Sequence, residues 1–114
     1  MLHYMKLNAS PYERIVAGTK TIEIRLYDEK RQAVNVGDQI EFAKLPDLRE
    51  KIRVNVLALH KYKTFRDLAS DLGLKDHAAN PTDTIDEWVR NCYTVYSPEE
   101  EQKYGVVGIR IKLV

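Results

Sequence analysis

Apolar and polar positions alternate residue by residue along several stretches of the chain. In Thr21–Tyr27, Ile22, Ile24 and Leu26 point one way and Thr21, Glu23, Arg25 and Tyr27 the other. Gln39–Ala43 repeats the pattern with Ile40 and Phe42 inward, behind a tight turn at Val36-Gly37-Asp38. Lys51–Leu59 places Ile52, Val54, Val56 and Ala58 on one side. Gly105–Val114 places Val107, Ile109, Ile111 and Leu113 on its core face and Arg110 and Lys112 outward. His3–Leu7 is also extended in character. These stretches are predicted strands.

Helical spacing lies between them. Ser10-Pro11-Tyr12-Glu13 reads as a helix start, with Ser10 as cap, Glu13 completing a capping box, and Gly18 ending the helix. Tyr12, Ile15 and Val16 form its apolar stripe. Thr64 is the expected cap of a helix over Phe65–Leu72, which Gly73 ends. A further cap within Pro81–Thr84 precedes the stripe of Ile85, Trp88, Val89 and Cys92. Pro98 and the acids Glu99–Glu101 suit a last helical turn. Asp28–Arg31 reads as a charged turn and Lys75–Pro81 as loop.

About five short strands with two or three short helices, not regularly alternating, predict a mostly β, α+β chain built as a small mixed barrel. Closure would hide the strand edges. At 114 residues the chain suits one domain, 1–114. Lys and Arg number 18 against 17 Asp and Glu, a net charge of +1, so any nucleic-acid site must be a local patch. One cysteine, Cys92, rules out an internal disulfide framework and fits a reducing, cytoplasmic setting. No leader-like start is expected, and no stretch approaches the roughly 18 apolar residues of a membrane helix. His3, His60 and His77 lack metal-ligand spacing, and no Gly-rich phosphate loop precedes a helix, so neither a metal nor an organic cofactor is expected. Trp88 and Cys92 read as core.

The candidate chemistry sits on the charged strand. Glu23 and Arg25 share a face, and Lys20 joins them only if the chain bends or bulges after Gly18. The plain alternatives are a solvated strand face or a structural ion pair.

The Gly18–Arg25 pattern Gly-x-Lys-Thr-x-Glu-x-Arg within GTKTIEIRLYDEKR, the VGDQIEF turn and strand, and the tail YTVYSPEEEQKYGVVGIRI resemble the ASCH superfamily, in particular its small bacterial members. That resemblance implies a PUA-like fold and an RNA-binding cleft beside the first helix and the charged strand. In such a cleft Lys20, Arg25, Lys30 and Arg31 would meet phosphates, or Arg25 a base edge. Tyr27, Tyr93 or Tyr96 would stack on an unpaired base, and Glu23 would accept from an exocyclic amine. The expected partner is therefore RNA or a modified nucleoside. Some similar proteins are amidohydrolases acting on N4-acetylcytidine, with a lysine, a threonine three residues later and a glutamate from a later segment. Lys20 matches the lysine, Glu23 stands where the threonine would, and Glu87 is a candidate for the glutamate by its place in the chain. In an enzyme, Lys20 and Glu23 would be the catalytic pair. A protein-interaction module, marked by an exposed apolar patch, is the third class.

Overall fold

The computed structural model describes residues 1–114. The elements run β1 (Leu2–Leu7), α1 (Ala9–Ala17), β2 (Ile22–Leu26), α2 (Glu29–Gln32), β3 (Gln39–Lys44), β4 (Lys51–Tyr62), α3 (Phe65–Leu72), α4 (Ile85–Cys92), α5 (Pro98–Tyr104) and β5 (Val106–Leu113). The strands form one sheet in the order β1-β3-β4-β5-β2, curled into a half-barrel of PUA-like character. The β1–β3 pair is parallel and the other pairs are antiparallel. A register shift between Val56 and Ala58 interrupts the β4–β5 ladder, and such an irregularity increases local twist and bends the strand. β1 and β2 are the two ends of the ladder, and the Arg25 guanidinium on β2 crosses the gap to donate to the Lys6 carbonyl on β1 at 2.8 Å.

Two apolar cores lie against the sheet. The inner one joins Met5, Ile40, Phe42, Val54, Val107 and Ile109 to Tyr12 and Ile15 of α1. The outer one packs Phe65, Leu68, Trp88 and Val89 of α3 and α4 over Leu26 and Val106. Each fully buried side chain of this size contributes about 1.5–3 kcal/mol. Val106 and Val107 are both buried and belong to different cores, so β5 is covered on both faces along its first half. Leu113, expected in the core, is 38% exposed at the end of β5.

Several element ends differ from the sequence expectation. α1 begins at Ala9 behind Asn8, so Ser10 lies inside the first turn and caps nothing. Pro11 is tolerated there because first-turn N–H groups have no helical acceptor. Asp28–Arg31 is not a plain turn. Asp28 caps α2, with its carboxylate accepting from the Arg31 N–H at 3.1 Å and from the Arg31 guanidinium at 3.1 Å. The strand from Lys51 continues to Tyr62. α4 and α5 both start with capping boxes, Thr84–Glu87 and Ser97–Glu100. Gly18 closes α1 at φ 83°, a left-handed conformation that favours glycine. No helix is long and apolar enough to cross a membrane.

Candidate functional site

The polar row of β2 does not face solvent. Glu23 pairs with Ile109 and Arg25 with Val107, both inner-core residues, so the row points into the concave side of the sheet. Tyr27 continues it and packs against the inner core, with the Lys61 ammonium 4.9 Å from its ring centroid. An ionised carboxylate on that face must be paired. Glu23, 5% exposed, meets Lys20 Nζ at 3.2 Å through Oε1 and the Arg25 guanidinium at 2.7 Å through Oε2.

Lys20 reaches Glu23 because the pleat starts late. The N–H groups of Thr21 and Ile22 both donate to the Asp76 carbonyl, at 2.9 and 3.2 Å, so regular strand pairing begins only at Ile22. Strict alternation would have aimed Lys20 alongside Ile22. Released from it, Lys20 Nζ donates to the Ile22 carbonyl at 2.8 Å and the His77 carbonyl at 3.3 Å. Together with Glu23 these oxygens match the three N–H groups of an ammonium. Burial pulls the Lys20 pKa below its ordinary value, against the pull of Glu23. Burial would raise the Glu23 pKa, but Arg25 and Lys20 outweigh it and hold the carboxyl below the ordinary range. Glu23 is therefore a charged acceptor with lone pairs to spare.

The pair forms one side of a cavity of about 310 Å³. Phe65, Trp88 and Tyr96 supply aromatic wall, and Ile24, His77, Ala78, Ala79, Asn80, Asp83, Asn91, Cys92 and Val95 complete it. Trp88, Asn91, Cys92 and Val95 recur at helical spacing, so one face of α4 and the turn after it line the cavity. Tyr96 stacks on Phe65 with 5.6 Å between ring centroids and 23° between planes. The lining segment at His77 and Ala78 is held by its carbonyls. Arg14 Nη1 donates to His77 and Ala78 oxygens at 3.2 Å each, beside the Lys20 bond already described.

A scan of family models matches the ASCH domain over residues 5–114. The chain is an ASCH-domain protein. Among solved structures, this ASCH protein is similar to hypothetical protein PH0355, at 34% identity and TM-score 0.88 with all of both chains covered. It is similar to protein PF0455 from Pyrococcus furiosus at 34% identity and TM-score 0.80, covering 100% of this chain and 98% of that one. A ZmASCH mutant from Zymomonas mobilis shares the fold at 13% identity and TM-score 0.69, covering 97% of this chain and 68% of that one. No functionally curated protein matches it.

Of the residues singled out from the sequence of this ASCH protein, Lys20, Glu23 and Tyr96 line the cavity. Arg25 forms the partition, bonded to Glu23 on one side and lining a second groove with Lys30 and Arg31 on the other. Tyr27 lies on the inner core, outside the cavity lining. Tyr93 is also outside that lining, because its hydroxyl donates to Glu101 Oε1 at 2.7 Å. That bond and burial push the Tyr93 pKa up to about 12. Glu87 serves the Thr84 capping box and does not reach Lys20.

Sequence reasoning missed His77, Asn80, Asp83 and Asn91. His77 is 3% exposed, and its ring meets Trp88 edge-on at 5.0 Å. His77 Nε2 lies 2.6 Å from the Gly73 carbonyl, which only accepts, so the neutral ring carries its hydrogen there. Nδ1 has no partner, and burial holds the His77 pKa below its ordinary value. No periodic signal marks residues 77–83, which form a loop. Trp88 and Cys92 stand in the apolar stripe of α4, which by itself reads as core. No three His, Cys, Asp or Glu side chains converge as a metal cluster would.

Proposed function

We propose that this ASCH protein binds RNA or a nucleotide-like ligand, as part of RNA metabolism, by taking one unpaired base into the Lys20–Glu23 cavity. The observation that carries this reading is the buried Glu23, held between Lys20 and Arg25, on one wall of an aromatic-lined cavity. Its volume, about 310 Å³, lies at the small end of the ~300–1,000 Å³ typical of ligand pockets, which suits one planar group rather than a large ligand. Tyr96 and Trp88 offer apolar ring surface to a base, and Glu23 accepts from an exocyclic amine. Asn91 adds a side-chain amide for a ring carbonyl or nitrogen.

A hydrolytic reading, with Lys20 as base or nucleophile on an N4-acylated cytidine, rests on one feature: burial lowers the Lys20 pKa. Three oxygens around Nζ favour the ammonium and oppose it. The test is titration of nucleosides and short RNAs against the intrinsic fluorescence of Trp88, with product mass monitored in parallel. Binding without turnover, weakened about tenfold or more in Glu23→Gln, is the expected result. Acetate release abolished in Lys20→Ala would establish the hydrolase instead. Absence of binding by every nucleoside and RNA tried would overturn both.

A further inference from the structure

A second groove, of about 570 Å³, lies on the far side of the Arg25 partition. Its cations come from four elements: Lys6 from β1, Arg25 from β2, Lys30 and Arg31 from α2, and Lys51 from β4. The sheet register explains the convergence. Lys6, Ala43 and Lys51 are successive cross-strand partners on β1, β3 and β4, so two lysines flank one small residue in a single row. The adjacent row places exposed Tyr4 beside Glu41.

The groove's charge is poorly compensated. Glu41, the acid in its lining, is already paired with Arg53 at 3.3 Å. Arg25 and Arg31 have carboxylate partners, Glu23 and Asp28, but Lys6, Lys30 and Lys51 form no ion pair. Arg31 Nε is buried without an acceptor. Partial burial, with Arg31, Arg25 and Lys6 nearby, holds the Lys30 pKa below its ordinary value. Tyr4 is 60% exposed, an aromatic face open to solvent within a basic lining. Unpaired ammonium groups beside an exposed ring are what a single strand of nucleic acid requires: cations for phosphates and a face on which a base can stack.

We infer that this groove holds the phosphate chain of a single-stranded polynucleotide, so that the cavity takes a base that belongs to a strand rather than a free nucleoside. The ligand class rests on the base-binding reading of the cavity, whereas the groove's affinity for a strand does not. Arg25 couples the two, contacting Glu23 in the cavity wall and lining the groove. A strand crossing it would set a base on the Glu23 side and its neighbouring phosphates on the Lys30 side.

The experiment compares a pyrimidine oligonucleotide of about eight nucleotides with the matching nucleoside across a salt series from about 50 to about 200 mM. Wild type is expected to bind the strand far more tightly than the nucleoside, with a steep salt dependence. In Lys30→Gln/Lys51→Gln the log–log salt slope is expected to shrink by about 1.4, at roughly 0.7 per lost phosphate contact. Tyr4→Ala is expected to lose roughly fivefold or more in strand affinity. The charge-matched surface control Lys103→Gln/Lys112→Gln, outside the groove, should keep the wild-type slope. A strand that binds no more tightly than its nucleoside, or a slope unchanged in the groove variant, overturns the groove while leaving the cavity reading intact. Equal binding of poly-glutamate would overturn the nucleic-acid assignment. Strand binding that is lost in the groove variant but indifferent to Glu23→Gln would keep the groove and defeat the cavity reading.

Discussion

Replacing Glu23 by glutamine removes one negative charge from a site where it faces two positive ones, and leaves the shape almost unchanged. Lys20 and Glu23 are each 5% exposed, so solvent screens their interaction little. Removing one member of such a pair leaves the other charge buried and unpaired, at a typical cost of about 3–5 kcal/mol. Glutamine retains an acceptor for Lys20, and Arg25 keeps its bond to the Lys6 carbonyl, so the lower end, about 3 kcal/mol, is expected. At about 4 °C per kcal/mol for a chain of this size, Tm should fall by about 12 °C.

The loss should also depend on pH in a definite sense. Burial already holds the folded-state pKa of Lys20 below 10.5, and losing Glu23 lowers it further. Between the folded and unfolded values the unfolded chain binds more protons, so stability rises with pH. The variant has the wider window and gains more, and its deficit should shrink as pH climbs from neutrality toward the ordinary lysine value. Urea unfolding followed by Trp88, the one tryptophan, reads both effects. In Lys20→Met/Glu23→Gln, where neither buried charge of the pair remains, about 2 kcal/mol of the loss should return. A single variant within about 0.5 kcal/mol of wild type would refute the reasoning. So would a deficit that is the same at neutral and alkaline pH.

Arg14→Met removes two charge-assisted bonds to the His77–Ala78 wall and should cost about 1.5–3 kcal/mol, with faster amide exchange across that segment. Unchanged exchange there would show that the wall is held by other contacts. Because burial lowers the His77 pKa, the unfolded chain protonates first as pH drops beneath 6.5. The urea midpoint should therefore fall from about pH 7.5 to about pH 5.5, and His77→Phe should flatten that fall. A slope identical in the variant would assign the effect elsewhere. Burial, with Glu101 nearby, pushes the Cys92 thiol up to about 12, so a disulfide reagent should label native protein far more slowly than urea-unfolded protein. Equal rates would place the thiol in open solvent.

Much of the fold was legible because its rules are local. Period-two alternation located β2, β3, β4 and β5, and Thr64, Gly18 and Gly73 mark the ends of helices where the structure has them. The misplaced features have local causes as well. α2 is a single capped turn, too short to show a period, and Ser10 competes with an earlier start at Asn8. The candidate site was legible only as a cluster of charge. Lys20, Glu23 and Arg25 stood out by type and spacing, and the bend that joins Lys20 to them was a stated condition. The reach of the Asp76 carbonyl across to Thr21 and Ile22, which creates that bend, involves residues more than fifty apart in the chain.

The amino-acid sequence by itself determined which segments form strands and which side chains carry charge, since alternation and side-chain chemistry are properties of neighbours. It also determined that any nucleic-acid site must be local, because acids and bases nearly cancel over the whole chain. Tertiary structure alone decided that the polar row of β2 turns inward, since only the curl of the sheet distinguishes its concave side from its convex one. It likewise decided that His77 and Asn80 meet α4 across a cavity, and that Lys6 and Lys51 flank Ala43. Those neighbours are set by strand order and loop closure, which no window along the chain contains.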